Sequence, residues 1–176
     1  MKPFLLLATR ADDAPADAEY EAFLIRTGLR ERDLCRVRLE SEPMPDIDMD
    51  AYSGIMVGGS PFNTSTPEDV KSDTQRRVEA EFTALLDRVV AADFPFLGAC
   101  YGIGTLARHQ GAVIDATYAE EVGAPEITLT AAGLADPLCA GITPTFQAFV
   151  AHNDAIFTPP PGAVVLATSQ PCPVQM

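Results

Sequence analysis

The chain has 176 residues, the length of one globular domain, and its 47% hydrophobic content allows a sizeable core and excludes disorder as a description of the whole. Twenty-five acids against 12 Lys and Arg give a formal net charge of −13. That balance excludes a nucleic-acid module built on a basic footprint and argues against docking on anionic membranes.

The start, Met1 to Arg10, has an apolar run too short for a signal-peptide core or a membrane span. Phe4 to Ala8 reads as a strand covered on both faces. An acidic, Pro-containing turn from Asp12 to Asp17 precedes a helix over Ala18 to Thr27, which Gly28 can end. Leu34 to Leu39 alternates as a half-buried strand near a sheet edge, and the arginines around it (Arg26, Arg30, Arg32, Arg36 and Arg38) read as a solvated face. Ser53 to Val57 is a buried strand running into Gly58-Gly59. Val78, Phe82, Leu85, Leu86, Val89 and Val90 form the apolar stripe of the clearest helix. A strand over Phe94 to Ala99 feeds into Cys100, and a short helix follows over Gly102 to Gln110. Further strands are expected at Ala112–Asp115, Ile127–Thr130, Phe146–Val150 and Val164–Ala167. The alternation predicts an α/β fold with a mostly parallel sheet, partly antiparallel late in the chain, and helices on both faces.

Ligands in such folds sit beyond the carboxyl ends of the strands, where Gly58-Gly59 and Cys100 fall. Gly98-Ala99-Cys100-Tyr101-Gly102 has the form G-x-C-x-G between a strand and a helix, the pattern of a nucleophile elbow. Two glycines remove Cβ atoms where strand and helix crowd, and the helix N-terminus favours an anion at the tip. The N–H of Tyr101 then faces an oxyanion formed on attack by Cys100, and the Gly58-Gly59 turn is a source of a second donor. The scattered cysteines show no metal-ligand spacing and are expected as free thiols of a reducing cytoplasm, with Cys35, Cys139 and Cys172 as small buried hydrophobes. No metal and no organic cofactor is expected.

These motifs resemble the class I glutamine amidotransferases, the Cys-His-Glu triad family, and are similar to GMP synthase-type glutaminase domains. The resemblance is carried by Gly58-Gly59 after a strand, Phe96 to Gly104 around Cys100, Glu121-Val122-Gly123, Ala151-His152-Asn153-Asp154 and Pro160 to Ala167. It implies a flavodoxin-like fold over the single domain 1–176. It also implies that Cys100 attacks the glutamine side-chain amide to form a γ-glutamyl thioester, releasing ammonia for a synthetase domain or subunit. Gly59 and Tyr101 would supply oxyanion N–H groups. Gly58, Gly104 and the Ala151-His152-Asn153 backbone would bind substrate.

Two departures bear on activity. The family has Gln where this chain has Gly104, so another γ-glutamyl substrate stays open. The family's base is the His of an H-x-E pair, which this sequence lacks; it has only His109 and His152. The expectation is a domain incomplete at its C-terminus, with weak or no turnover. A Cys100-His152-Asp154 triad, a γ-glutamyl peptide hydrolase and a non-catalytic module on the same fold remain alternatives. From His109 onward the sequence holds six acids (Asp115, Glu120, Glu121, Glu126, Asp136 and Asp154) and no Lys or Arg.

Overall fold

The structure is a computed structural model that describes residues 2–176. The chain divides into two compact units, Met1–His109 and Gln110–Met176. Among the described residues, no helix is long and apolar enough to cross a membrane.

The first unit is built on four parallel strands: β1 (Phe4–Ala8), β2 (Leu34–Arg38), β3 (Ile55–Val57) and β4 (Phe96–Gly98), in the order β2-β1-β3-β4. The continuous apolar run of β1 places Leu5, Leu6 and Leu7 out of contact with solvent because both faces of the sheet are covered. Period-two alternation divides them. Leu5 and Leu7 pack with Ile55 and Val57 against Val78, Phe82, Leu85, Leu86 and Val89 of α2 (Asp73–Ala91). Leu6, Leu34 and Met56 face Tyr20, Phe23 and Leu24 of α1 (Asp13–Thr27). Helices therefore cover both faces, as the alternation of elements predicts.

Helix α1 starts at Asp13 rather than after Asp17. Pro15 lies in the first turn, where its missing N–H costs no helical hydrogen bond, so the expected turn is helix instead. Gly28 ends α1 at φ +69. Ser72 caps α2 by accepting a hydrogen bond from the Gln75 N–H at 3.1 Å. Val90, assigned to the α2 stripe from its spacing, is exposed at the edge of that stripe. Of the arginines expected on a solvated face, Arg30 and Arg32 are exposed, whereas Arg36 and Arg38 are mostly covered and held in ion pairs, Arg36 with Asp17 at 2.8 Å and Arg38 with Asp13 and Glu40 at 2.5 Å. Cys35 is exposed rather than buried, because β2 is an edge strand.

Helix α3 (Tyr101–His109) follows β4. In the shared register Leu7 is opposite Val57, and Val57 is opposite Gly98. The segments after β1, β3 and β4 consequently leave the sheet at one edge.

The second unit contains β5 (Val113–Asp115), β6 (Glu120–Gly123), β7 (Glu126–Leu129), α4 (Ala131–Ala135), β8 (Thr145–Gln147), β9 (Val150–His152), β10 (Ala155–Thr158) and β11 (Ala167–Ser169). They form three small antiparallel sheets, β11-β7-β8, β6-β9 and β10-β5. The strand expected over Phe146–Val150 is two strands in different sheets, with Phe149 fully out in solvent between them. The strand expected over Val164–Ala167 starts only at Ala167. Ile127, Leu129, Cys139, Leu166 and Ala167 form the unit's core.

Phe82 is 1% exposed at the centre of the first unit's core. Phe82→Ala is expected to lower stability by about 3–5 kcal/mol, against about 1 kcal/mol for Ser72→Ala at the helix cap. Chemical denaturation followed by circular dichroism measures both, and equal losses would contradict this placement of the core.

Candidate active site

The sharpest local feature is the junction of β4 and α3. Cys100 stands between them at φ +54, a left-handed conformation that a side chain adopts at a cost. Its neighbours explain why the chain holds it there. A Cβ on Gly98 would lie 2.5 Å from the Gly102 carbonyl oxygen, and one on Gly102 would lie 2.6 Å from the Val57 carbonyl oxygen. The reversal from strand to helix is thus too tight for a side chain at either position. Hydrogen bonds fix the turn on β3: the Ala99 N–H donates to Val57 O at 2.9 Å, and the Gly102 N–H to Gly58 O at 3.2 Å. The result is an exposed thiol at the start of a helix, on the edge where the sheet's strands end.

Tyr101 opens α3 and its ring is buried edge-on between Phe62 and Phe82, with centroids 6.3 Å from each. Gly104 is buried in the first turn of α3, its N–H 3.5 Å from Cys100 O. The ring of Tyr101 anchors the helix to the α2 core, so the tip is supported from below by packing rather than by the loop alone.

The Gly58-Gly59 turn carries a contact that the sequence reading did not anticipate. Glu19 of α1 reaches it, and its Oε1 accepts the Gly59 N–H at 2.8 Å and the Arg10 Nε–H at 3.0 Å. Its other oxygen, Oε2, is buried without a hydrogen-bond partner and lies 2.5 Å from where a Cβ on Gly58 would sit. The Thr9 hydroxyl donates to Gly59 O at 3.3 Å. In this structure a carboxylate oxygen stands on the N–H assigned to an oxyanion. Carboxylate and oxyanion share the same charge and acceptor chemistry. Nothing in the sequence pattern marks Glu19, because it occupies an ordinary helical position.

The remaining candidates lie in the second unit. Ala151 and His152 belong to β9, and Asn153 follows it; Ala151 and Asn153 are exposed. With Glu120, Glu121 and Val122 of β6 they line an open concavity of about 270 Å³. Register places His152 opposite Glu120, and its Nε2 is 2.8 Å from Glu120 Oε2. Its Nδ1 is buried with no hydrogen-bond partner among the described residues. Asp154 therefore does not orient this ring, contrary to the His152-Asp154 alternative: antiparallel pairing brings a carboxylate from the neighbouring strand instead. His109 is mostly covered and its Nε2 is 2.9 Å from Asp87 Oδ1. Of the other cysteines, Cys139 and Cys172 are buried, and burial pushes the Cys172 thiol above its ordinary pKa.

The chain is similar to proteins of known family. GMP synthase from Xanthomonas oryzae pv. oryzae is 29% identical over 126 residues, covering 69% of this chain and 21% of its own length. The chain thus spans about a fifth of the curated relatives it matches. The crystal structure of a glutamine amidotransferase from Thermotoga maritima has a TM-score of 0.78 at 18% identity, covering 99% of this chain and 70% of that one. A glutamine amidotransferase from Methylobacillus flagellatus gives 0.73 at 21%, covering 99% and 64%. The family profile described as Glutamine amidotransferase class-I matches residues 17–175, and the chain belongs to that family.

Proposed function

We propose that this chain is a glutaminase unit in which Cys100 is the nucleophile. The Cys100 sulfur attacks the side-chain carbonyl carbon of glutamine and the carbonyl oxygen becomes an oxyanion. Collapse of the intermediate expels ammonia and leaves a γ-glutamyl thioester, which water hydrolyses to glutamate and the free thiol. The observation that carries this reading is the Cys100 backbone, held at φ +54 by contacts that only glycine permits at 98 and 102. Strain of this kind concentrates at functional sites. In this reading Gly59 and Tyr101 stabilise the oxyanion, and Gly58, Gly104, Ala151, His152 and Asn153 belong to substrate binding. By analogy with the GMP synthases that it resembles, the ammonia is delivered to a synthetase domain or subunit.

Turnover by these 176 residues alone is weak or absent in this reading. The leaving ammonia needs a proton and the thiol must lose one. Neither histidine stands in an H-x-E pair, and both rings are already paired, with Asp87 and Glu120. Gly104, where the family has Gln, leaves γ-glutamyl peptides open as substrates.

One observation favours a second reading, a binding module without catalysis: the Gly59 N–H is already occupied by Glu19. A glutamine-mimicking electrophile separates the two. The glutaminase reading expects labelling of Cys100 well above that of the other exposed thiol, Cys35, and protection by millimolar glutamine, read by peptide mass spectrometry. Equal labelling of Cys35 and Cys100, indifferent to glutamine, would establish the module. Protection by γ-glutamyl peptides but not by glutamine would reassign the substrate.

Cys100→Gly relieves the left-handed backbone. It is expected to raise stability by about 1 kcal/mol while abolishing labelling and any ammonia release. A destabilised Cys100→Gly protein would show that the elbow is not strained.

A further inference from the structure

We propose that Glu120, His152 and Cys172 form a binding site for a divalent transition-metal ion, with zinc as the best match. The sequence offers no metal-ligand spacing, since the three residues are 32 and 20 positions apart. The tertiary structure gathers them. Glu120 lies in β6, His152 opposite it in β9, and Cys172 in the segment after β11. One carboxylate oxygen, one imidazole nitrogen and the sulfur all lie within 4.8 Å of one another. Tetrahedral bonds to zinc of about 2.0–2.3 Å hold ligand atoms roughly 3.3–3.6 Å apart. A contraction of about an ångström in the wider separations brings the three donors to that spacing.

Three further observations point to a cation. The first is charge. The Glu120 side chain is only 4% exposed, yet the sequence from His109 onward contains no Lys or Arg to balance it. A buried carboxylate needs compensation, and the His152 ring and the neutral Gln175 amide stand against it. The second is spare donor capacity. The His152 ring has one nitrogen on Glu120 and the other buried without a partner. The third is orientation around the set. Gln175 Nε2 donates to Glu120 Oε2 at 2.7 Å and to Ser169 Oγ at 2.9 Å, which fixes the carboxylate as outer residues fix metal ligands.

The nitrogen, sulfur and oxygen donors match zinc or cobalt and are too soft a set for magnesium or calcium. Binding takes the thiol proton of Cys172 to solvent, so a thiolate and a carboxylate together balance the dication. Three protein ligands leave a fourth position for water or a small anion. Glu120 and His152 also line the concavity of this unit.

Cobalt(II) titration of the intact chain tests the site through its thiolate-to-metal charge-transfer absorption. The expected result is saturation at one equivalent. The band should vanish in Cys172→Ser and persist in Cys100→Ser, and Gln175→Ala should weaken binding about 10- to 100-fold. Zinc should raise the melting temperature of the wild type and of Cys100→Ser but not of Cys172→Ser. The wild-type stoichiometry and the Cys100→Ser control need no substitution in the cluster, so they report even if Cys172→Ser folds poorly. Absence of the band in the wild type, or its loss in Cys100→Ser, would overturn the proposal.

Discussion

The contact between the first turn of α3 and the end of β3 governs the edge of the first unit where Cys100 stands. Gly102 sits so close to the Val57 carbonyl that a single Cβ would intrude, and Gly98 sits equally close to Gly102. Helix and strand can meet at this distance only if the intervening residue turns through a left-handed conformation, which is where Cys100 stands. The in-register pairing of β1, β3 and β4 then brings the Gly58-Gly59 turn to the same edge. Packing against α2 provides the rigidity: Tyr101, Phe82, Leu5 and Leu7 belong to one cluster, so the strained tip is anchored by burial.

The same edge holds an acidic side chain against the glycine turn. Glu19 bridges the Gly59 N–H and Arg10, and one of its oxygens is buried without a hydrogen-bond partner. A carboxylate held by a backbone N–H and a guanidinium has the charge and acceptor geometry that a reaction oxyanion would present. The turn is therefore built to hold a negative oxygen. In the proposed reaction, substrate and the protein's own acid would draw on the same N–H.

The second unit follows different rules. Its strands are three or four residues long and belong to three small sheets, so most of its hydrogen bonding lies in turns and short ladders. Its strand pairing brings a carboxylate, an imidazole and a thiol together under cover, in a stretch of sequence without cationic side chains. Such a cluster has no signature in local spacing, because each residue comes from a separate segment.

What the sequence determined by itself was local and periodic. The apolar run of β1, the stripe of α2, Gly28 at the end of α1 and the G-x-C-x-G turn were all legible, since each depends on neighbours within a few residues. The start of α1 at Asp13 is not legible locally, because Pro15 reads as a turn residue yet is tolerated in a first helical turn. β6 was not foreseen because Glu120-Glu121-Val122-Gly123 has neither apolar alternation nor β-branched density. Only the tertiary structure decided the exposure of Cys35, the seat of Glu19 on Gly59, and the choice of Glu120 rather than Asp154 as the partner of His152. Each rests on contacts between segments 20 or more residues apart, and such contacts are fixed by sheet order and register, which local pattern does not encode.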